Sequence, residues 1–410
     1  MKTDFHQSVL TTGLALFIGT GFFFAHAADW PQWRGPNRDG KADGFKAPQT
    51  WPASLNQKWK VNIGPGLASP AVVGGKVYLF ARDQADEIVV CLNAETGQEV
   101  WRDKYESGPA TGPAGRHPGP RSSPTVMAGK VVTYGVRGTL SCIDAATGKV
   151  LWRKKDFADA LPRFFTSCSP LVTDGLCIVQ LGGEENGAIV AYNLDTGEEK
   201  WRWTGDGSAY SSPVLCTLDG TRMIVAMTAR KLVGVRLTDG KPLWETPFVP
   251  QQRAYNAATP IVDSDTVYFA GAGRGTKAIK IEKSGDGFSV KELWTNPDCS
   301  VQFNTPVLKG GKLYGIAQNG SIFCVDAKEG KTLWTAQFGG RDFGSVVDAG
   351  NVLFAITPQS ALTAFEPSDR EYKKLASYKV AQTDVYAHPV IVGNSLFIKD
   401  QDSIALWTIE

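Results

Sequence analysis

The sequence lacks a strong net charge and has few histidines. Its 43 Lys and Arg residues nearly balance 41 Asp and Glu residues, which gives a formal net charge of +2. So small a net charge provides no bulk attraction to nucleic acid or to an anionic membrane, and we expect no nucleic-acid partner. Beyond residue 27 the only histidines are His117 and His388. No Ser-His-Asp order and no metal-spaced His/Cys cluster is present, so we predict no catalytic residue and no metal site. The sequence leaves open whether the fold brings histidines or carboxylates of different blades together as a catalytic pair.

Long apolar runs are missing except at the N-terminus. Residues 9–24 form an apolar run, and Ala25-His26-Ala27 then matches an A-x-A cleavage site. This pattern predicts a secretory signal peptide over residues 1–27, a secreted or periplasmic protein, and no transmembrane helix after cleavage. An uncleaved anchor is the alternative, although the run is short for a bilayer span. No cysteine follows the small residues, so we do not expect a lipid-modified N-terminus.

Adjacent cysteines are also missing, although the chain has seven cysteines. Cys91, Cys142 and Cys324 occupy one repeat position, where other repeats have Ala or Gly, so we expect these three to be small core residues. The other four are less regular, and a disulfide among them stays open: Cys168, Cys177, Cys216 and Cys299.

What the chain does have is a repeated unit, seen most clearly over residues 122–154. Four short runs, rich in β-branched and aromatic residues, are separated there by glycine-bearing turns. Such runs predict a four-stranded antiparallel meander, with strands A to D in chain order. One sheet of this kind cannot bury both of its faces, so it needs neighbours of the same kind.

Two independent markers each count eight copies of this unit. One marker is a Ser or Thr before Pro at the start of strand A. It occurs at Ser69, Ser123, Ser169, Ser212, Thr259 and Thr305, and degenerate versions occur at Ser345 and His388. The other is an aromatic residue on strand D: Trp59, Trp101, Trp152, Trp201, Trp244, Trp294, Trp334 and Tyr378.

The two markers differ in register at the ends of the chain. Trp59 precedes the first Ser-Pro pair, and the last repeat ends after three strands. The sequence therefore predicts an all-β, closed eight-bladed β-propeller of four-stranded antiparallel blades over residues 58–410, whose last blade is completed by an N-terminal strand. Residues 28–57, rich in Trp, Pro and Gly, are predicted to form an irregular strap, with Trp30, Trp33 and Trp51 packed onto the side of the barrel.

The repeated units LNAETGQEVW, IDAATGKVLW, YNLDTGEEKW and VDAKEGKTLW resemble the tryptophan-docking repeats of the pyrroloquinoline-quinone-like propeller family. That family includes quinoprotein alcohol dehydrogenases and a non-enzymatic outer-membrane assembly subunit. The resemblance implies the fold, and it alone raises pyrroloquinoline quinone (PQQ) and calcium as cofactors. The dehydrogenases typically carry a disulfide between adjacent cysteines at the cofactor, which this chain cannot form, so we expect no cofactor. The chain resembles the assembly subunit more than the dehydrogenases. That subunit is typically lipidated, whereas we expect no lipid on this chain.

A calcium loop in the strap, using Asn37 and Asp39, is a further alternative. It supplies only two ligands, whereas calcium takes six or more oxygens.

A binding site is predicted on one face of the ring. In an antiparallel meander the D-to-A connections and the B–C hairpins emerge on one face, called here the D–A face, and the A–B and C–D turns emerge on the other, the turn face. From the strand D aromatic to the next proline position, five connections span 11 or 12 residues, but the other three span 23, 18 and 16. Length variation confined to one face of a repeat protein is typical of its binding face.

The D–A connections also carry the residues that we expect to bind. An aromatic residue recurs just before strand A, which predicts a collar at the mouth of the channel: Phe165, Tyr210, Tyr255, Phe303, Phe343 and Tyr386. With the arginines of these connections, the candidate binding residues are Arg116, His117, Arg121, Arg163, Tyr210, Arg253, Tyr255, Phe303 and Arg341. The alternative is that the arginines only solvate loops and the aromatics only plug the channel. Under the binding hypothesis, the arginines and aromatics together form a basic, aromatic funnel for an anionic or planar small ligand or for an acidic peptide.

These observations favour a non-catalytic, monomeric scaffold of the cell envelope that binds an envelope protein or a small ligand. A PQQ-dependent oxidoreductase acting on alcohols or sugars is the first alternative. A carbohydrate-binding or hydrolytic propeller, supported by the aromatic collar alone, is the second. The fold does not decide among these functions.

Overall fold

The predicted propeller is confirmed by a computed structural model, which describes Met1 and residues 29–157, 159–251, 254–339 and 343–409. The predicted signal peptide lies outside the described residues, apart from Met1. Over the described residues, 32 strands form eight four-stranded antiparallel sheets, and the only helical element is the 3-10 turn Gly112–Ala114. Strand A of each blade lines the channel and strand D lies on the outside.

The strands are numbered in chain order, and each blade contains four of them. Blades 1 to 4 contain β2 Ala71–Val73, β3 Lys76–Asp83, β4 Asp86–Asn93 and β5 Glu99–Glu106; β6 Thr125–Met127, β7 Lys130–Tyr134, β8 Leu140–Asp144 and β9 Val150–Lys154; β10 Leu171–Thr173, β11 Leu176–Leu181, β12 Ala188–Asn193 and β13 Glu199–Trp203; β14 Val214–Leu218, β15 Thr221–Met227, β16 Lys231–Arg236 and β17 Pro242–Pro247. Blades 5 to 8 contain β18 Ile261–Asp263, β19 Thr266–Gly271, β20 Gly275–Ser284 and β21 Gly287–Asn296; β22 Val307–Lys309, β23 Lys312–Ile316, β24 Ser321–Asp326 and β25 Thr332–Gln337; β26 Ser345–Asp348, β27 Leu353–Ile356, β28 Ala361–Phe365 and β29 Lys374–Lys379; β30 Val390–Val392, β31 Ser395–Lys399 and β32 Ser403–Thr408, together with β1 Asn56–Asn62.

The eighth blade is closed by the N-terminal strand, as predicted. Strand β1 pairs antiparallel with β32, with Trp59 opposite Leu406 and Lys60 opposite Ala405. Strand D of blade 8 therefore comes from the opposite end of the chain. This closure removes the unpaired edge that an open ring would present.

Six of the seven strand D tryptophans donate a hydrogen bond to the next blade, whereas Trp244 lies against Met223 Sδ of its own blade. In blade 1, the Trp101 indole Nε1 donates a hydrogen bond to Ala145 O of blade 2 at 3.0 Å, and the ring lies against Gly148 in the neighbouring C–D turn. Gly148 has a φ of +75°, and the Asp144 carboxylate accepts the Thr147 N–H at 2.8 Å in the same turn. The repeated Asn/Asp-x-x-Thr/Glu-Gly pattern thus builds a turn whose glycine leaves room for a tryptophan. Trp59, Trp152, Trp201, Trp294 and Trp334 make equivalent hydrogen bonds.

The Ser/Thr-Pro motif joins the blades at the inner end. At six junctions the backbone N–H of the residue before Pro donates to the side-chain hydroxyl of the next blade's Ser or Thr, for example Ser123 N to Ser169 Oγ and Ser169 N to Ser212 Oγ, both 2.9 Å. Four further bonds of this kind run from blade 8 through to blade 6. A hydroxyl is therefore needed at this repeat position because it accepts the neighbouring blade's backbone donor.

The predicted strap is corrected by the structure. Part of it, residues 30–42, enters the channel and turns back inside it, and we call this segment the plug. It enters from the turn face, where Asp29 Oδ1 accepts the Gly74 N–H at 3.0 Å, pairs with Val72 of blade 1 through Trp30, and leaves beside Asp348 of blade 7 through Ala42. Only Trp51 packs further out, with its ring 6.1 Å from that of Phe354.

Two arginines hold the plug in the channel. Arg34 donates to Thr305 O at 2.7 Å and Pro306 O at 2.8 Å, whereas Arg38 donates to the carbonyl oxygens of Ser169, Pro170 and Pro213 across the channel. Both side chains are fully buried, and burial lowers both pKa values from 12.5 to about 10, so both remain cations at neutral pH. Within the described residues neither forms an ion pair. The plug thus carries two positive charges to the axis, which are solvated by backbone carbonyls.

The seven cysteines are all buried free thiols, so the disulfide that stayed open among Cys168, Cys177, Cys216 and Cys299 is not formed in the structure. Among the described residues, no helix has the length and apolar character needed to cross a membrane.

Candidate functional site: the cavity at the channel mouth

A cavity of about 340 Å³ opens on the D–A face, where the eight D-to-A connections converge. Its floor is the tip of the plug, Trp33, together with the Ser/Thr-Pro residues Ser169, Ser212 and Thr259. Its wall combines a collar of aromatic residues with parts of the longest connection, Pro113, Ala114, His117 and Arg121. The plug closes the channel from below, so the cavity has one entrance.

The collar is a continuous arc of rings in contact with one another. Neighbouring centroids lie 4.5–5.7 Å apart, and the Phe303 and Phe343 rings are stacked with an interplanar angle of 9°. At one end the His117 ring contacts the Tyr386 ring at 4.8 Å. Each ring comes from the residues just before a different strand A, so the repeat itself places them side by side. The collar consists of Phe164, Tyr210, Tyr255, Phe303, Phe343 and Tyr386.

One predicted member of the collar is wrong, because Phe164 rather than Phe165 lines the cavity. Phe165 has a left-handed backbone, with a φ of +65°. Its ring packs towards Val136, under the Arg137 guanidinium at 5.3 Å. Phe164 thus takes the place predicted for Phe165 because of the local backbone conformation, which the sequence pattern does not reveal.

Arg121 is a clamp rather than a free cation of a basic funnel. Its guanidinium donates to Phe164 O at 2.6 Å, His117 O at 2.9 Å and Ala114 O at 3.3 Å. Burial lowers its pKa from 12.5, in spite of the nearby hydroxyls of two collar tyrosines. The side chain therefore fixes two connections against each other and also presents positive charge to the cavity wall.

Other arginines in the B–C hairpins clamp the connections in the same way. Arg82 donates to Ser107 O at 2.6 Å and Gly108 O at 3.1 Å, at the start of the longest connection. Arg274 donates to Phe248 O at 2.9 Å and lies over the Phe248 ring at 3.7 Å. Most of these hairpin arginines therefore fix the shape of the mouth instead of projecting into it.

The other predicted binding residues lie at the rim of the cavity or outside the residues that the structure describes. Arg116 and Arg163 are exposed, and the Arg163 guanidinium lies 5.2 Å from the centre of the Phe164 ring. Arg253 and Arg341 lie outside the described residues. Of the nine predicted residues, the structure brings five together at the cavity: His117, Arg121, Tyr210, Tyr255 and Phe303.

Burial shifts the pKa values of His117 and Tyr210 in the cavity. Burial and the neighbouring Arg121 and Arg116 charges lower the pKa of His117, so this imidazole is neutral at neutral pH. The Tyr210 hydroxyl donates to Glu184 at 3.1 Å and accepts the Phe164 N–H at 3.0 Å, and burial raises the Tyr210 pKa far above 10.

The lining does not fit a calcium-dependent cofactor. Among the described residues that line the cavity there is no carboxylate side chain, whereas calcium prefers several carboxylate and carbonyl oxygens. Elsewhere in the described chain, no group of three or more His, Cys, Asp or Glu residues could hold a metal ion. Asp39 of the proposed calcium loop lies 3.6 Å from the Lys41 ammonium.

Sequence reasoning missed the floor of the cavity. Trp33 reaches it only because the plug crosses the channel, where its indole donates to Thr259 Oγ1 at 3.3 Å. The Ser/Thr-Pro motif was recognised as a strand start, but not as a ring of hydroxyls that faces a cavity. The spacing of that motif was the available signal, since residues at one repeat position converge at one radius of the ring.

The fold and the repeat define the class: a β-propeller built from PQQ-like repeats. Residues 85–336 match the family model described as outer membrane protein assembly factor BamB, and the chain belongs to this family. The BamB of Burkholderia pseudomallei is 26% identical over 363 residues, which cover 85% of this chain and 86% of that protein.

Enzymes with the same fold match a smaller part of the sequence. The quinohemoprotein alcohol dehydrogenase of Comamonas testosteroni is 29% identical over 192 residues, but these cover only 44% of this chain and 27% of the enzyme. Its crystal structure nevertheless shares the fold, with a TM-score of 0.71 and 16% identity over 94% of this chain and 81% of the enzyme. The crystal structure of BamB from Moraxella catarrhalis gives a TM-score of 0.65 and 13% identity over 87% of this chain and 98% of that one. The dehydrogenases are the more distant relatives in sequence, as the repeats predicted.

Proposed function

We propose that this protein is a non-catalytic scaffold in the periplasm, which takes part in the assembly of outer-membrane proteins and binds a protein partner on its D–A face. The observation that carries the proposal is the cavity: an aromatic collar with one entrance, surrounded by the longest connections. Its relatives named as outer membrane protein assembly factors support the context.

The structure of the connections supports binding rather than solvation alone. Arg82, Arg121 and Arg274 hold loop carbonyls in place, so the mouth has a fixed shape before any partner arrives. A preformed surface loses less conformational entropy on binding than mobile loops do. Val249, in the third long connection, is 58% exposed and adds an apolar contact at the rim.

The test is a pull-down from native envelope in which the two faces are compared. Replacing the exposed rim residues, Arg116→Gln with Arg163→Gln, should reduce recovery of the partner and the salt dependence of binding, because it removes two positive charges from the rim. Each exposed ion pair contributes about 0–1 kcal/mol. Lys149→Gln with Lys331→Gln, exposed on C–D turns of the turn face, is the matched control. If the arginine variant recovers as much partner as the unmodified protein and the lysine variant recovers less, the binding face is the turn face and the proposal is wrong.

We further propose that the protein acts without PQQ, since the cavity offers no carboxylate to a calcium ion. Incubation of the mature protein with PQQ and calcium, followed by dye-reduction assays with alcohols and aldoses, should give no turnover above the protein-free blank. Turnover above that blank would establish the oxidoreductase alternative.

A further inference from the structure

We infer that the channel-mouth cavity accepts a tyrosine side chain from an acidic segment of the partner. This inference rests on the proposed function, because it specifies which chemistry of a protein partner the D–A face recognises. Three features of the cavity carry it: its aromatic wall, the hydroxyl donors of its floor and the sign of the buried charge around it.

The wall selects a planar ring. Six aromatic side chains surround a space of about 340 Å³, which is at the lower end of the range for small-ligand pockets, about 300–1,000 Å³. Collar rings such as Phe164 and Tyr255 are tilted by 40°, so their faces and edges together receive an inserted ring in stacked or edge-to-face contact. An aliphatic side chain would fill part of the space without these contacts.

The floor selects a ring with an oxygen acceptor at its tip. The hydroxyl oxygens of Ser169, Ser212 and Thr259 already accept backbone N–H groups of the neighbouring blades. Each hydroxyl still has its own hydrogen to donate, and no acceptor for these hydrogens is found among the described residues. A tyrosine hydroxyl can accept such a bond, whereas phenylalanine has no polar atom and the indole of tryptophan only donates.

The buried charge selects acidic flanks. Arg34 and Arg38 lie just below the floor and Arg121 lies in the wall. All three donate to backbone carbonyls, Arg38 also donates to Gln32 Oε1, and none of them forms an ion pair within the described residues. An aromatic cage would otherwise suit a cation, but three buried positive charges disfavour Lys or Arg in this cavity. The exposed guanidiniums of Arg116 and Arg163 extend the positive charge to the rim, where the residues flanking the inserted tyrosine would lie.

The test uses fluorescein-labelled pentapeptides and the mature protein, with binding followed by anisotropy. A peptide of sequence Asp-Glu-Tyr-Glu-Asp should bind, and its affinity should fall about tenfold when Tyr becomes Ala and severalfold when Tyr becomes Phe. A version with four lysines as flanks should not bind. In the protein, Phe303→Leu should weaken the acidic peptide about tenfold, whereas Leu151→Ala, exposed on an outer strand, should leave its affinity unchanged.

Competition with free 4-hydroxybenzoate separates a protein segment from a small molecule. If 4-hydroxybenzoate binds as tightly as the peptide and the acidic flanks contribute nothing, the cavity is a small-molecule site and the inference is wrong. Absence of peptide binding, or equal affinity for the Tyr and Ala peptides, overturns it as well. These outcomes leave the proposed function standing if the rim arginines still control recovery of the partner in the pull-down.

Discussion

Five strand D tryptophans pack on a glycine of the next blade, which should make that glycine irreplaceable, and Gly148 offers a clean test. A Cβ at Gly148 would lie 2.7 Å from two atoms of the Trp101 ring, closer than real Cβ contacts allow. Gly129, in the A–B turn of the same blade, has a similar φ of +71° but nothing within 4 Å of its Cβ position. Gly148→Ala and Gly129→Ala therefore share the backbone strain and differ in the contact with Trp101.

The expected magnitudes follow from these two terms. A left-handed backbone costs a residue with a Cβ about 1–2 kcal/mol, so Gly129→Ala should lower the free energy of unfolding by that amount. Gly148→Ala should cost a further 1–3 kcal/mol or so, because overpacking displaces the Trp101 ring and strains its 3.0 Å hydrogen bond to Ala145 O. Equilibrium urea denaturation, followed by tryptophan fluorescence, measures both variants. Equal losses for the two alanine variants would refute the account of how the blades are joined.

Three further predictions concern the plug, the closure and the thiols. Arg38→Gly keeps the left-handed backbone (φ +58°) but leaves buried carbonyls without their donor, so it should cost about 3–5 kcal/mol of unfolding free energy, and a loss under about 1 kcal/mol would contradict the plug's role. Burial lowers the pKa of Lys399 from 10.5 to about 8 in the folded protein, so its contribution to stability should rise from pH 8 to pH 10.5, and Lys399→Met should remove that rise in pH-dependent urea denaturation. Burial raises the pKa of Cys142 to about 12, and all seven thiols should resist Ellman's reagent until urea exposes seven equivalents; a smaller number in urea without reductant would reveal a disulfide.

The repeat made the fold predictable, because one local pattern occurs eight times and every copy reports the same geometry. The register of Trp59 even predicted that β1 would pair with β32. This worked because closure depends on counting strands, and strands can be counted from turns and aromatic positions without knowledge of distant contacts.

The plug could not be predicted because its partners are far away in sequence. Arg34 bonds to residues more than 270 positions later, and nothing in the local Trp-Pro-Gly pattern distinguishes a segment inside the channel from one outside. The sequence gives the composition of an irregular segment but not its path.

The arginines of the D–A face show a different limit. Sequence reasoning treated Arg121 and Arg163 alike, but Arg121 is buried against loop carbonyls whereas Arg163 is exposed at the rim. Replacing Arg121 should therefore change stability as well as binding. A loop arginine can serve either purpose, and only the position of nearby carbonyls decides which.

The most direct test of the central claim, that the D–A face binds a protein partner, is site-specific photo-crosslinking in cells. The photoreactive residue p-benzoylphenylalanine replaces Val249 in a D-to-A connection or Met127 at an A–B turn; these apolar side chains are 58% and 37% exposed. The account predicts an adduct with an envelope protein from position 249 and none from position 127. An adduct from position 127 with none from position 249 would contradict it.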